Sequence, residues 1–133
     1  MTPDRVGVMP YVYADGCLRV VLVLSRDGNR WGVPKGRLKP GVGKKKVAAQ
    51  EAWEEAGLRG RIYPNRFVDV IWVQRSTPLT LRLYPFQVDS LSKSYPEKKC
   101  RKRRLLQLEK AKQLIANDAF DEAFKMIEGG LEP

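Results

Sequence analysis

Glu51, Glu54 and Glu55 stand three and four residues apart in the stretch Glu51-Ala-Trp-Glu-Glu-Ala-Gly57. On a helix that spacing puts all three carboxylates on neighbouring positions of one face. Clustered anions repel one another, so they need a reason to coexist. A hard divalent cation supplies one, because Mg²⁺ prefers oxygen ligands and binds through a few carboxylates together with substrate phosphates. Taken alone, the string is equally compatible with a solvated acidic face pairing with Lys44, Lys45 and Lys46.

The segment just before it shifts that balance. Gly36-Arg-Leu-Lys-Pro-Gly-Val-Gly43 is a glycine-rich, basic loop that runs directly into the acidic helix. Glycine lets backbone approach a phosphate closely, and Lys and Arg neutralise it. A loop of this kind feeding a carboxylate helix is a plausible pyrophosphate cradle. The chain contains no histidine, which removes Ser-His-Asp and Cys-His mechanisms and any His-ligated metal. Cys17 and Cys100 are far apart and form no CxxC, so neither a zinc site nor a structural disulfide is expected. Chemistry here would fall to carboxylates, lysines or a hard metal ion.

With 25 Lys and Arg against 15 Asp and Glu, the formal net charge is +10. Such an excess draws anions: nucleic acid, phosphorylated small molecules or acidic membrane surfaces. A large part of it sits in one run, Lys98, Lys99, Arg101, Lys102, Arg103 and Arg104. That run reads as a solvated face, a nucleic-acid or nuclear-targeting patch, or a strand whose alternate residues meet substrate phosphates.

The elements that must position these residues follow from periodicity. Val6–Tyr13 and Arg19–Ser25 read as strands joined through Ala14-Asp15-Gly16, a hairpin signal. Arg26–Asn29 reads as a turn, and Trp31–Pro34 as extended, since the residue before proline avoids the helix. Residues 35–43 are too rich in Gly, Pro and Lys for a regular element. A helix over Lys44–Ala56 is closed by Gly57 in a left-handed cap. Ile62–Tyr63, Phe67–Gln74 and Thr80–Val88 are further strands, with a turn at 75–78. Leu91–Lys99 is a loop, Leu105–Leu108 a short strand or helix entry, and 109–127 an amphipathic helix that Asn117-Asp118 interrupts. Strands around a central helix with terminal helices indicate a mixed α/β layered fold in one domain spanning 1–133. Of the tryptophans, Trp53 is expected to pack inward, while Trp31 and Trp72 are core residues or stacking platforms.

Gly36–Leu58 resembles the Nudix box, the pattern GX5EX7REUXEEXGU in which U is aliphatic. Gly36, Glu51, Glu54, Glu55, Gly57 and Leu58 match at the correct spacing. Val42 stands where the family has its first glutamate, and Gln50 where it has the arginine that helps orient the carboxylates. Ala52 takes the aliphatic position. The resemblance implies a Nudix-type α/β/α sandwich with a mixed sheet and a loop–helix–loop motif. It implies Mg²⁺, with Mn²⁺ as a substitute, held by Glu51, Glu54 and Glu55, and catalysis by Glu54 and Glu55. It also implies hydrolysis of phosphoanhydride bonds.

Trp31-Gly-Val-Pro-Lys-Gly36 resembles the lead-in of the diphosphoinositol polyphosphate and diadenosine polyphosphate hydrolase group. Tyr95-Pro96-Glu97 and Arg101-Lys102-Arg103 resemble a later segment of the same group. Lys35, Gly36, Arg37, Arg101 and Arg103 are the expected contacts to substrate phosphates. The expected partner is a small polyphosphorylated molecule, with nucleic acid not favoured and no membrane. The protein is expected to be a cytoplasmic monomer or homodimer. Two alternatives follow from Val42, Gln50 and the basic run: a catalytically weakened module that binds nucleotide or RNA, and an RNA 5′-end pyrophosphohydrolase.

Overall fold

The computed structural model describes residues 2–63 and 65–129. In chain order the elements are β1 (Arg5–Ala14), β2 (Cys17–Leu24), β3 (Trp31–Gly32), β4 (Lys35–Arg37), α1 (Lys44–Ala56) and β5 (Leu58–Ile62). There follow β6 (Val68–Gln74), β7 (Thr77–Leu91), β8 (Arg103–Gln107), α2 (Leu108–Ile115) and α3 (Asp121–Glu128). The strands form one mixed sheet in the order β3-β2-β1-β7-β5, with β4 on β1, β6 on β7 and β8 on β2. Among the described residues only the β1–β7 pairing is parallel.

The strand alternation sorts the core into two layers. Val21 and Val23, with Val6, Val8, Tyr84, Phe86 and Val88, face the layer that α1 covers. Val20 and Leu22, with Met9, Tyr11, Leu81 and Leu83, face the layer covered by Ala111 of α2 and Phe124 and Ile127 of α3. Helices on both faces of a mixed sheet make the α/β/α sandwich, and each strand hides one row of side chains on each side. No helix among the described residues is long and apolar enough to cross a membrane.

The first hairpin turns on Asp15 and Gly16, both with positive φ (52° and 76°). A two-residue hairpin of this hand requires that conformation. The second turn is tighter than the expected 75–78: Arg75 and Ser76 alone carry positive φ, and Thr77 and Pro78 already belong to β7. Proline is tolerated there because it lies at the start of the strand.

A second departure bears on the site. Residues 35–43 are not wholly irregular, since Lys35–Arg37 pair with Arg5–Gly7 as β4. Gly7 makes this feasible: a Cβ there would stand 2.3 Å from the carbonyl oxygen of Pro34. The Val8 amide donates to that same oxygen at 3.1 Å. The loop before the acidic helix is thereby pinned to the sheet at its first three residues.

Helix α1 has the bounds expected from sequence and ends in Gly57 at φ 65°. No side chain caps its start at Gly43, and three lysines crowd its positive end, which the helix dipole disfavours. Packing must therefore hold it. Val47, Ala48, Ala52 and Ala56 form the buried stripe, and their small size lets the helix lie close to the sheet. Trp53, expected inward, is instead half-buried on the outer side, with the Arg59 guanidinium 4.2 Å above its ring. The inward stripe is taken by alanines, leaving no room there for an indole.

Candidate active site

The carboxylates sit where α1 meets β4. Gly36 touches Glu51 so closely that a Cβ on Gly36 would come within 2.6 Å of the Glu51 carboxyl carbon. The opening glycine of the motif is thus required for space, not for an unusual backbone angle. Glu55 is 3% exposed, the sole charged residue in the buried class among those described. Glu51 is half-buried and within hydrogen-bonding reach of both Glu54 and Glu55.

Burial, these hydrogen bonds and the neighbouring charges push the Glu51 carboxyl up to about 8. Burial also pushes Glu55 up, while Arg101, Lys35 and the hydrogen bond with Glu51 pull it back. Both carboxyls are thus pushed upward, and the two titrate together as a pair. Two buried carboxylates in contact do not both ionise without a countercharge. Among the described residues, no three Asp, Glu, His or Cys side chains are already closed around a single point as a chelate. Glu54 accepts a hydrogen bond from Gln50 at 3.4 Å.

A second segment closes over the end of α1. The backbone N–H of Glu97 donates to the carbonyl of Glu54 at 2.9 Å. Residues 97–101 make a turn in which the amides of Cys100 and Arg101 both donate to the Glu97 carbonyl. That turn brings Arg101 Nε to 2.7 Å from Glu97 Oε1 and 3.9 Å from Glu55 Oε1. Arg26 donates to the same Glu97 oxygen at 3.1 Å. Burial works to raise the Glu97 pKa, but the two arginines outweigh it and hold that carboxyl below its ordinary range.

Beside these groups opens a cleft of about 480 Å³. Lys35, Gly36, Arg37 and Arg101 line it, as do Arg5, Arg26, Arg30 and Arg75; Asp27 is the one acid in its wall. Trp31 and Trp72 also face it, with Arg104 5.9 Å from the first ring and Lys35 Nζ 4.7 Å from the second. Burial lowers the pKa of Lys35, against an opposing pull from Glu55.

Of the expected phosphate contacts, four lie in this wall and Arg103 does not. Arg103 donates to the Ala56 carbonyl at 2.5 Å and stacks 4.8 Å from the Tyr95 ring, closing the end of α1. The basic run is not a strand throughout: Lys98, Lys99, Arg101 and Lys102 precede β8, and only Arg103 and Arg104 enter it. Sequence reasoning assigned no role to Glu97, Arg26, Arg5, Arg30 or Arg75. Glu97 had one local signal, as the lone acid beside six cations. The others are scattered through the chain and are gathered by strand pairing.

No family model matches the chain, and no curated protein does either. Solved structures do. An Ap4A hydrolase from C. elegans aligns over 99% of this chain and 100% of its own, with TM-score 0.80 and 18% identity. Its binary complex aligns over 96% of both chains, with TM-score 0.80 and 16% identity. A Nudix hydrolase from M. smegmatis aligns over 96% of this chain and 84% of its own, with TM-score 0.66 and 14% identity. At such identities the likeness is one of fold. It agrees with the motif at Gly36–Leu58, and the chain is a Nudix-fold protein.

Proposed function

We propose that this protein is a divalent-cation-dependent hydrolase of phosphoanhydride bonds in small polyphosphorylated molecules. The observation that carries the reading is the contact between Glu51 and Glu55 beside a cleft walled by cations. Hard oxygen donors that repel one another and must share a proton fit a hard cation such as Mg²⁺, with Mn²⁺ as a substitute. Glu51, Glu54 and Glu55 would hold it. A bound divalent ion would neutralise diphosphate charge, polarise a phosphoryl oxygen and make water more acidic.

The chain's own groups do the rest. Glu55, buried beside Arg101, and Glu54, at the more open edge of the cluster, supply carboxylate bases for the attacking water. Gly36 leaves the Glu51 carboxylate free to approach. Lys35 and Arg37 on β4, with Arg5 beside Arg37 on β1 and Arg75 in the same wall, meet the phosphates and orient them. Trp31 and Trp72 offer flat apolar surface to whatever the phosphates carry. Diphosphoinositol polyphosphates and dinucleoside polyphosphates are the favoured classes, since several phosphates in one molecule match several cations in one wall. The Ap4A hydrolase fold neighbours support the second of these.

The test is a phosphate-release screen with Mg²⁺ or Mn²⁺ over nucleotides, dinucleoside polyphosphates, inositol pyrophosphates and triphosphorylated RNA. Turnover is expected on at least one small polyphosphate, with Glu55→Gln lowering kcat on the order of 10²- to 10⁴-fold. No turnover by folded protein on any of them would sink the reading. Val42 favours a second one, a binding module for nucleotide or RNA. Its side chain packs against the α1 core layer and offers no oxygen to a metal. Salt-dependent RNA binding without metal binding or hydrolysis would mark that outcome.

A further inference from the structure

We infer that Arg101, clamped by Glu97, is a positioning residue that fixes the Glu55 carboxylate, taking from outside α1 the orienting role that Gln50 does not fill within it. Its kinetic readout rests on the hydrolase reading above; its metal-binding readout does not.

A carboxylate as buried as Glu55 needs a partner of opposite charge or a proton. Among the described residues Arg101 is the one cation within 4.0 Å of any of the three helix carboxylates. At 3.9 Å from Glu55 the contact is too long for a hydrogen bond. It acts through charge and through a fixed location.

That location is held from two other directions. Glu97 accepts from Arg101 Nε at 2.7 Å, and the Leu24 carbonyl accepts from an Nη at 3.4 Å. The side chain is 18% exposed. Glu97 is itself tied to α1 through its N–H on Glu54. The four groups make a closed circuit from Glu55 to Arg101, to Glu97, and through its backbone to Glu54. Displacing Arg101 therefore also loosens the backbone of the residue next to Glu55.

Gln50, at the position from which an in-helix cation would act, is exposed and reaches only Glu54, at 3.4 Å. A phosphate-binding arginine, the role first expected of Arg101, presents a free fork of N–H groups. Arg101 has its Nε and an Nη already engaged inside the protein, although it borders the cleft.

The experiment compares the full chain with R101M and with the double variant Q50R/R101M. Mg²⁺ alone is titrated by calorimetry, and turnover is measured on diadenosine tetraphosphate. R101M is expected to bind Mg²⁺ about 10- to 100-fold more weakly and to lose kcat by a similar factor, with KM changed by less than about threefold. In the double variant a cation returned within α1 should recover most of the metal affinity. A cooperative thermal melt shows whether each variant is folded. If R101M does not fold, E97Q, which releases the clamp but keeps the guanidinium, is expected to weaken Mg²⁺ binding in the same direction.

An R101M or E97Q protein with unchanged Mg²⁺ affinity overturns the inference. So does R101M with raised KM and unchanged kcat, which would make Arg101 a phosphate ligand. A parent protein that binds Mg²⁺ but hydrolyses nothing defeats the hydrolase reading alone, and the titrations still decide the role of Arg101.

Discussion

Glu51 shows how burial and neighbouring carboxylates hold a proton on an acid. Its carboxyl titrates near 8 in the folded chain and in the ordinary carboxylate range when unfolded. Between those two values the folded state holds a proton that the unfolded chain has released. Linkage then makes metal-free stability greatest below the ordinary carboxylate range and lowers it as pH rises toward about 8. Thermal midpoints in chelator should fall across that window, and the fall should flatten in Glu51→Gln. Mg²⁺ should reverse it, most strongly at the alkaline end, where the metal no longer competes with the proton. Gly36→Ala probes the same carboxylate sterically. The added Cβ would meet the flexible end of Glu51 rather than backbone, so stability should change by less than about 1 kcal/mol. A displaced carboxylate, however, should lower kcat on the order of 10²-fold, and comparing melts with turnover separates the two effects.

At the scale of elements, the end of α1 is where three segments meet. Gly57 lies in the left-handed region at φ 65°, and a Cβ there would stand 2.6 Å from the Tyr95 ring and 2.9 Å from the Arg103 guanidinium. Gly57→Ala therefore combines backbone strain with a clash against packed groups, and should lower unfolding free energy by about 1–3 kcal/mol in denaturant titrations. The helix bounds and the glycine cap were legible because both are written in consecutive residues. The 3.6 period, the acidic face and the stop at Gly57 need no knowledge of the rest of the fold. The Nudix resemblance at Gly36–Leu58 was legible for the same reason. β4 was not, because its three residues are strand only by virtue of Gly7, some thirty positions earlier. Trp53 was misplaced because size suggested burial, whereas the inner stripe of α1 is reserved for alanine. Arg103 and Arg101 looked alike in the basic run. One closes a helix end and the other faces Glu55, a difference created by the turn at 97–101.

Across the whole molecule, cations outnumber acids, 25 to 15. Seven of those cations and one acid stand in the wall of the cleft. Raising ionic strength from about 0.05 to about 0.3 M shortens the screening length about 2.5-fold. KM for a polyphosphate should therefore rise while kcat changes little, which steady-state kinetics at fixed free Mg²⁺ would register. The wall itself depends on how the chain is threaded. Lys35 and Gly36 are set by β1, and β1 is set by its parallel pairing with Leu81–Gln87. That pairing joins residues separated by more than half the chain, so a large loop must close before the central strands gain anything from meeting. Non-local pairing of this kind slows folding relative to helical bundles. Helix α1, held by packing rather than by its own ends, carries three carboxylates without the β4 part of the wall beside them until that distant register locks. The acidic motif and the strand that carries Lys35 and Gly36 are therefore brought together by a pairing far from either of them in the chain, between β1 and β7.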